Sequence, residues 1–194
     1  MNVSHDKDVA LDQALDLFWK QGYASTSLKD LERATGMHPG SLYAAFGSKA
    51  KLYCLSLERY ATRICALRAE LQVQAASPLD GLADFIAKAH PLSDADAPLP
   101  VCYLVKATLE TSQGNQAIED KLSELLNQTD ATFASVFQQA IDAGDLPVDS
   151  DAKKLARQLS ADLAGLCFYA LRETDAGVIK EMVSDLADRV RHPH

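Results

Sequence analysis

The chain has 194 residues, is 47% hydrophobic and carries a formal net charge of −8 with four cysteines. A chain of this length buries at least one sizeable core; no apolar run reaches the ~20 residues of a bilayer span, and the polar, acidic start MNVSHDKD is unlike a signal peptide, so a cytoplasmic protein with no membrane partner is expected. Residues 1–63 hold eight Lys/Arg against seven Asp/Glu and residues 64–194 hold eleven against twenty, which excludes a nonspecific basic coat for nucleic acid and leaves room for a small local patch near the N-terminus.

Alternating strand-type patterns are absent and apolar residues recur with a 3.6-residue period, so the chain is expected to be all-α with about nine helices. The first, about Asp8 to Gln21, carries Leu11, Leu15 and Phe18 on one stripe, with Gly22 as a left-handed stop and Tyr23 folding back. Ser27 followed three residues later by Asp30 reads as a capping box for a second helix whose Leu28, Leu31 and Ala34 face inward until Gly36. His38 at the N-cap and Pro39 at the first helical position open a third helix, because that position needs no N–H. Leu42 and Phe46 anchor it, Pro39, Tyr43 and Ala44 face outward, and Gly47 stops it.

Ser48 then caps a long helix to about Ala76, with Leu52, Leu55, Ile64, Leu67 and Leu71 on its buried side. At ~1.5 Å per residue it spans about 40 Å, enough to leave one domain and enter another. Two short helices joined by a glycine turn form a helix-turn-helix, and the first helix and the start of the long one close its core. The expected organisation is a helix-turn-helix DNA-binding domain at 1–47 and a helical ligand-binding and dimerisation body at 48–194, entered by the connecting helix 48–76.

In the body, Pro78 opens a short helix to about Ala89; HPLSDADAPLP reads as a mobile connection; Pro100 begins a helix to about Gln113. A long helix follows from Gln116 to Ala143 with a stop at Gly144, then helices at about Ser150–Arg172 and Asp175–Arg191. Leu155, Leu159, Leu163 and Leu166 form one apolar stripe and Ile179, Val183, Leu186 and Val190 another, with Ala161, Ala164 and Gly165 allowing close helix approach. Both stripes can pack within one chain or in a four-helix dimer interface. Phe85, Leu109, Phe133, Phe137 and Phe168 are either core or the lining of an apolar ligand pocket, with His90 and Tyr103 adding polar contacts.

The cysteines show no close paired spacing of the kind that holds a metal, and no metal or cofactor is expected. Cys102, two residues after Pro100, is predicted in the first turn of a helix, where the dipole and Lys106 on the same face favour a thiolate; it is either an electrophile or oxidant sensor or a packing residue beneath a ligand cavity.

The run ALDLFWKQGYASTSLKDLERATGMHPGSLYAAFGSKAKLYCLSLERY resembles the N-terminal domain of the TetR family of transcriptional regulators: the first helix ending in GY, then TSLKDLERATGM, GSLYAAFGSK and a long helix beginning LY. The resemblance covers about the first 60 residues; beyond them only the order and length of helices are similar. It implies a homodimer on a palindromic double-stranded DNA operator, usually a repressor, with a small-molecule effector bound in the body changing the spacing of the heads. It also implies phosphate contacts at Thr26 or Ser27, Tyr43 and Lys49, and groove-facing positions at His38, Pro39 and Ala44.

Many relatives carry Lys or Arg at the position of Pro39 and a polar residue at that of Ala44. Direct readout is therefore expected to fall on His38, Ser41 and Tyr43 and on apolar contacts to thymine methyls, with Lys29 compensating and DNA shape contributing. No H-E-x-x-H, P-loop or nucleophile elbow is present, so no enzyme is expected. A cysteine-dependent regulator or enzyme acting through Cys102 and a helical adaptor without DNA binding are the other readings.

Overall fold

The computed structural model describes residues 3–89, 101–110, 114–173 and 175–192; the expected mobile connection at 90–100 lies outside them. Among the described residues there are nine α-helices and no strand: α1 Val3–Gln21, α2 Leu28–Thr35, α3 Pro39–Phe46, α4 Lys49–Gln74, α5 Pro78–Ala89, α6 Tyr103–Glu110, α7 Gln116–Ala143, α8 Ala152–Ala170 and α9 Ala176–Arg191. The chain forms two compact units, residues 1–62 with 103–125 and residues 63–102 with 126–194. They are called the head and body units below. The head unit is larger than a division at residue 47 implies, because it takes in the first half of α4, α6 and the start of α7.

In the head unit, α2 begins where the sequence places it. Ser27 Oγ accepts from the Asp30 N–H at 3.2 Å while the Asp30 carboxylate accepts from the Ser27 N–H at 3.0 Å, so two otherwise orphaned donors are satisfied reciprocally. Gly36 ends α2 at φ 64°, a left-handed conformation that a side chain disfavours, and this sets the tight turn into α3. Leu31, Leu42 and Phe46 point into the core. That core is dense in aromatic rings: Tyr53 lies edge-on to Phe18 at 5.0 Å and to Tyr103 at 6.0 Å, and Trp19 contacts Tyr60 at 5.1 Å and Tyr103 at 5.9 Å. The Tyr103 hydroxyl is 2.9 Å from the buried Ser56 hydroxyl. Arg59 ties α4 to α1 through Asp12 at 2.8 Å and Asp8 at 3.6 Å, and the two carboxylates hold its guanidinium pKa above the usual value.

In the body unit, α5 packs along α9, which also meets α8; Ile179, Val183, Leu186 and Val190 are buried, and Phe85 of α5 meets Phe133 of α7 at 6.3 Å. Arg191 in the last turn of α9 fastens the pair from the edge, reaching Asp80 at 3.1 Å and Asp84 at 3.0 Å. Asp151 caps α8 by accepting from the Lys154 N–H at 3.0 Å, which keeps its carboxyl below the ordinary range.

Several expectations are corrected by the structure. Helix α1 starts at Val3 rather than about Asp8. Leu55 is only half-buried within the head unit, and Ile64 is half-buried and Leu67 exposed where the apolar stripe of α4 thins beyond it. Helix α6 starts at Tyr103, so Cys102 precedes it instead of lying in its first turn.

Candidate nucleic-acid interface

Helix α3 has eight residues and two anchors, Leu42 and Phe46, four apart on one side. That spacing leaves the opposite side free, and Pro39, Gly40, Ser41, Tyr43 and Ala44 are all exposed. Tyr43 is 41% exposed although aromatic, so its ring is presented outward instead of joining the cluster beneath. Lys29 on α2 and Lys51 on α4 are also exposed, and Ser48 Oγ accepts from the Lys51 N–H at 3.1 Å, fixing the start of the 26-residue helix α4. Hydroxyls, lysines and a long helix N-terminus suit phosphate oxygens, whereas the small, apolar tip of α3 suits a groove floor.

The expected contacts divide by their surroundings. Thr26 is buried and donates to the Gly22 carbonyl at 2.7 Å, so its hydroxyl closes the α1–α2 turn and is not presented to a phosphate. Ser27 is exposed, but its hydroxyl donates to the Asp30 carboxylate at 2.6 Å; those hydrogen bonds hold the Asp30 pKa below the ordinary value and keep a negative charge beside the α2 N-terminus. His38 is exposed with Nδ1 3.3 Å from Glu32 Oε1. Lys49 sits with Nζ 4.4 Å from the centre of the Tyr23 ring, and partial burial lowers its pKa, so the ammonium is held in place by an aromatic face. Lys51 was not among the expected contacts, although the sequence GSKAK places two lysines in the first turn of α4.

The candidate ligand residues are divided between the two units. Tyr103 is in the aromatic core of the head unit, because its hydroxyl has Ser56 as a partner there, and Lys106, also in the head unit, is ion-paired with Glu110. Leu109 and Phe168 are 57% and 61% exposed. Phe85 and Phe133 pack against each other, Phe137 is buried, Cys102 is half-buried and His90 lies outside the described residues.

The body unit instead holds a cleft of about 320 Å³ between α4 and α7, lined by Arg68, Gln72, Thr132, Ser135, Val136 and Gln139. Arg68 Nε and Gln72 Oε1 are buried there without a hydrogen-bond partner. The signal in the sequence was a charged and an amide residue four apart, in line with Ile64 on the side of α4 read as apolar.

The dimer stripes also separate. Ile179, Val183, Leu186 and Val190 are already buried inside one chain, where α9 packs against α5 and α8, and Leu159 and Leu166 are buried as well, whereas Leu155 and Leu163 are half-buried. Apolar periodicity marked these faces as covered without identifying the covering element. The unpartnered apolar surface of α8 is its other side, Ala161, Gly165 and Phe168, continuing to Leu171.

Comparison with known proteins converges with this geometry. Residues 10–53 match the model of the bacterial regulatory proteins of the tetR family, and residues 78–184 match a tetracycline repressor-like C-terminal domain. The chain is 32% identical over 167 residues to the HTH-type transcriptional repressor ComR of Escherichia coli (strain K12), covering 85% of this chain and 79% of ComR. It is 25% identical to the uncharacterised HTH-type regulator YezE of Bacillus subtilis (strain 168), over 94% of both chains.

Among solved structures, a cysteine-substituted form of the TetR family regulator CifR, complexed with 26-bp double-strand operator DNA, superposes with a TM-score of 0.81 at 29% identity, covering 93% of this chain and 95% of CifR. A TetR family regulator from Agrobacterium tumefaciens shares the fold with a TM-score of 0.84 at 23% identity, over 97% of this chain and 98% of that one. No helix among the described residues is long and apolar enough to cross a membrane, and these likenesses point to a regulator rather than to an enzyme. With both of its parts matched, the chain belongs to the TetR family of helix-turn-helix transcriptional regulators.

Proposed function

We propose that this chain is a cytoplasmic repressor that binds a palindromic operator as a homodimer and is released by a small anionic effector held in the body unit. The observation that carries the DNA reading is the exposed side of α3, Pro39 to Ala44, above the two buried anchors. Tyr43, Ser41, Lys49 and Lys51 take phosphates and the backbone edge of the groove, His38 supplies the polar base contact, and Pro39 and Ala44 meet thymine methyls. Thr26 is assigned to structure alone. Lys29 extends the basic margin along α2, and Ser27 acts as a helix cap.

Two heads must reach successive major grooves, ~34–36 Å apart, so a partner surface is required, and the Phe168 side of α8 provides it. Small residues at Ala161 and Gly165 let a second α8 approach closely, and Leu155 and Leu163 border the contact. The effector reading is supported by Arg68 and Gln72. A half-buried guanidinium with an unpartnered Nε is stabilised by an anion, and the unpaired Gln72 carbonyl oxygen asks for a donor beside it. A compact organic acid with an adjacent hydroxyl satisfies both. A ligand that binds one head spacing better than the other needs only about 1.4 kcal/mol of differential affinity to change operator binding tenfold.

The DNA reading is tested by titrating the protein onto its own upstream DNA at two salt concentrations. Affinity falls with salt, and Lys49→Ala lowers the slope of log K against log salt by about 1; binding indifferent to salt and to Lys49 overturns the reading. The effector class is tested by calorimetry with 2-hydroxybenzoate: binding that is lost in Arg68→Met supports it, and the absence of heat at millimolar ligand overturns it.

A further inference from the structure

Two thiols that are far apart in sequence meet inside the body unit. The Cys102 backbone N–H donates to Cys167 Sγ at 3.4 Å, joining residues 65 positions apart. One N–Cα bond of ~1.46 Å separates that nitrogen from the Cys102 Cα, which therefore lies within ~5 Å of the Cys167 sulfur. The Cys102 backbone is thus already against the Cys167 sulfur, and closing a disulfide requires the Cys102 side chain to turn toward it and the two Cα atoms to settle roughly 4.4–6.8 Å apart.

The two groups differ in access. Cys102 is half-buried in the stretch before α6, whereas Cys167 is 1% exposed on α8. Burial, reinforced by the neighbouring Cys102, pushes the Cys167 thiol up to about 12 and keeps it protonated. Cys102 is therefore the sulfur that meets a solute first, and Cys167 is the one that waits behind it.

We propose that Cys102 and Cys167 form an oxidation site for small hydroperoxides that closes a disulfide within the body unit and changes DNA affinity. The Cys102 sulfur attacks the terminal oxygen of the hydroperoxide, the O–O bond breaks, and an alcohol leaves with one proton, leaving a sulfenic acid. The Cys167 sulfur then attacks the sulfenic sulfur. The S–S bond forms, the S–O bond breaks, and the hydroxyl departs with the Cys167 proton as water. Two thiols lose two electrons and two protons in all, and the hydroperoxide is reduced to an alcohol and water.

The covalent structure gives this site a route to the head. Cys102 is joined by one peptide bond to Tyr103, whose ring lies in the aromatic cluster with Trp19, Tyr53 and Tyr60 and whose hydroxyl meets Ser56. A disulfide that draws residue 102 toward α8 acts on the residue that seats α6 in the head core. The switch rests on the DNA-binding reading above, whereas bond formation does not.

The test uses the full chain in a Cys54→Ser, Cys65→Ser background, because Cys65 is exposed and Cys54 half-buried. Reduced protein is treated with tert-butyl hydroperoxide and read by intact mass, by non-reducing peptide mapping and by affinity for its upstream DNA. The expected result is loss of two hydrogens, a peptide linking 102 to 167, and an affinity change of about tenfold that a dithiol reductant reverses. Cys167→Ser stops at the sulfenic acid and loses most of the affinity change.

A Cys102 that is unmodified or over-oxidised with Cys167 still free overturns the site. An equal affinity change in Cys167→Ser, or a formed bond with unchanged affinity, overturns the switch. If reduced protein fails to bind DNA at all, the DNA-binding reading falls, and the mass measurement still judges the oxidation site.

Discussion

The head and body units use aromatic residues in opposite ways. In the head, Phe18, Trp19, Tyr23, Tyr53, Tyr60 and Tyr103 interlock in one cluster, whereas among the described residues of the body Phe85 and Phe133 form a pair and Phe168 faces outward. Edge-to-face rings fix geometry beyond what burial alone supplies. The difference is one of rigidity: the head is locked by rings, while the body holds a polar cleft and an apolar α8 side that is exposed in the single chain.

The strongest way to break this comparison is to remove the ring at its centre. Tyr53→Ala is expected to destabilise the head by on the order of 3–5 kcal/mol and to abolish DNA binding, read by urea denaturation and fluorescence anisotropy. Leu186→Ala, in the buried α9 stripe, should cost roughly 2–4 kcal/mol by the same denaturation assay while leaving the head fold intact, as near-ultraviolet circular dichroism of the aromatic cluster reports.

Phe168→Glu sharpens the other half of the contrast. It should leave monomer stability within about 0.5 kcal/mol, because the residue is exposed in one chain, yet weaken self-association at least about tenfold in sedimentation velocity. Unchanged association would remove α8 from the interface.

The smallest expected effect concerns acid. The Asp30 pKa is depressed by its bonds to Ser27, so its contribution is present above the ordinary carboxylate range and is lost as pH falls through the folded value. Wild-type head should therefore lose thermal stability more steeply than Asp30→Asn between about pH 4 and about pH 3. Parallel curves for the two proteins would show that the capping box is not the titrating element.

Much of the head was legible because its signals are local and each has one physical meaning. Pro39 at a first helical position, Ser27 with Asp30, and glycines at 36 and 47 specify ends and turns without reference to distant residues, and the structure places them as expected. The body yielded helix order and length, as with α5 and α7, but not which face meets what. Periodicity says that Ile179 and Val183 are covered; it does not say whether α5 or a second chain covers them. Tyr103 reads in the sequence only as a possible polar contact of a ligand, because its partner Ser56 lies 47 residues away and no local pattern announces such a contact. Arg68 and Gln72 are not legible in the sequence, because an amphipathic pattern on α4 does not distinguish polar residues that line a cleft from those that face water.

Leu42 and Phe46 are the buried anchors of helix α3, Pro39 opens it, and Gly40, Ser41, Tyr43 and Ala44 are exposed. Residues 40, 41 and 44 can therefore diverge after a duplication without endangering the protein that carries them. Target choice evolves on a handful of positions that stability does not police, which lets such a scaffold be retargeted many times while its interior stays unchanged.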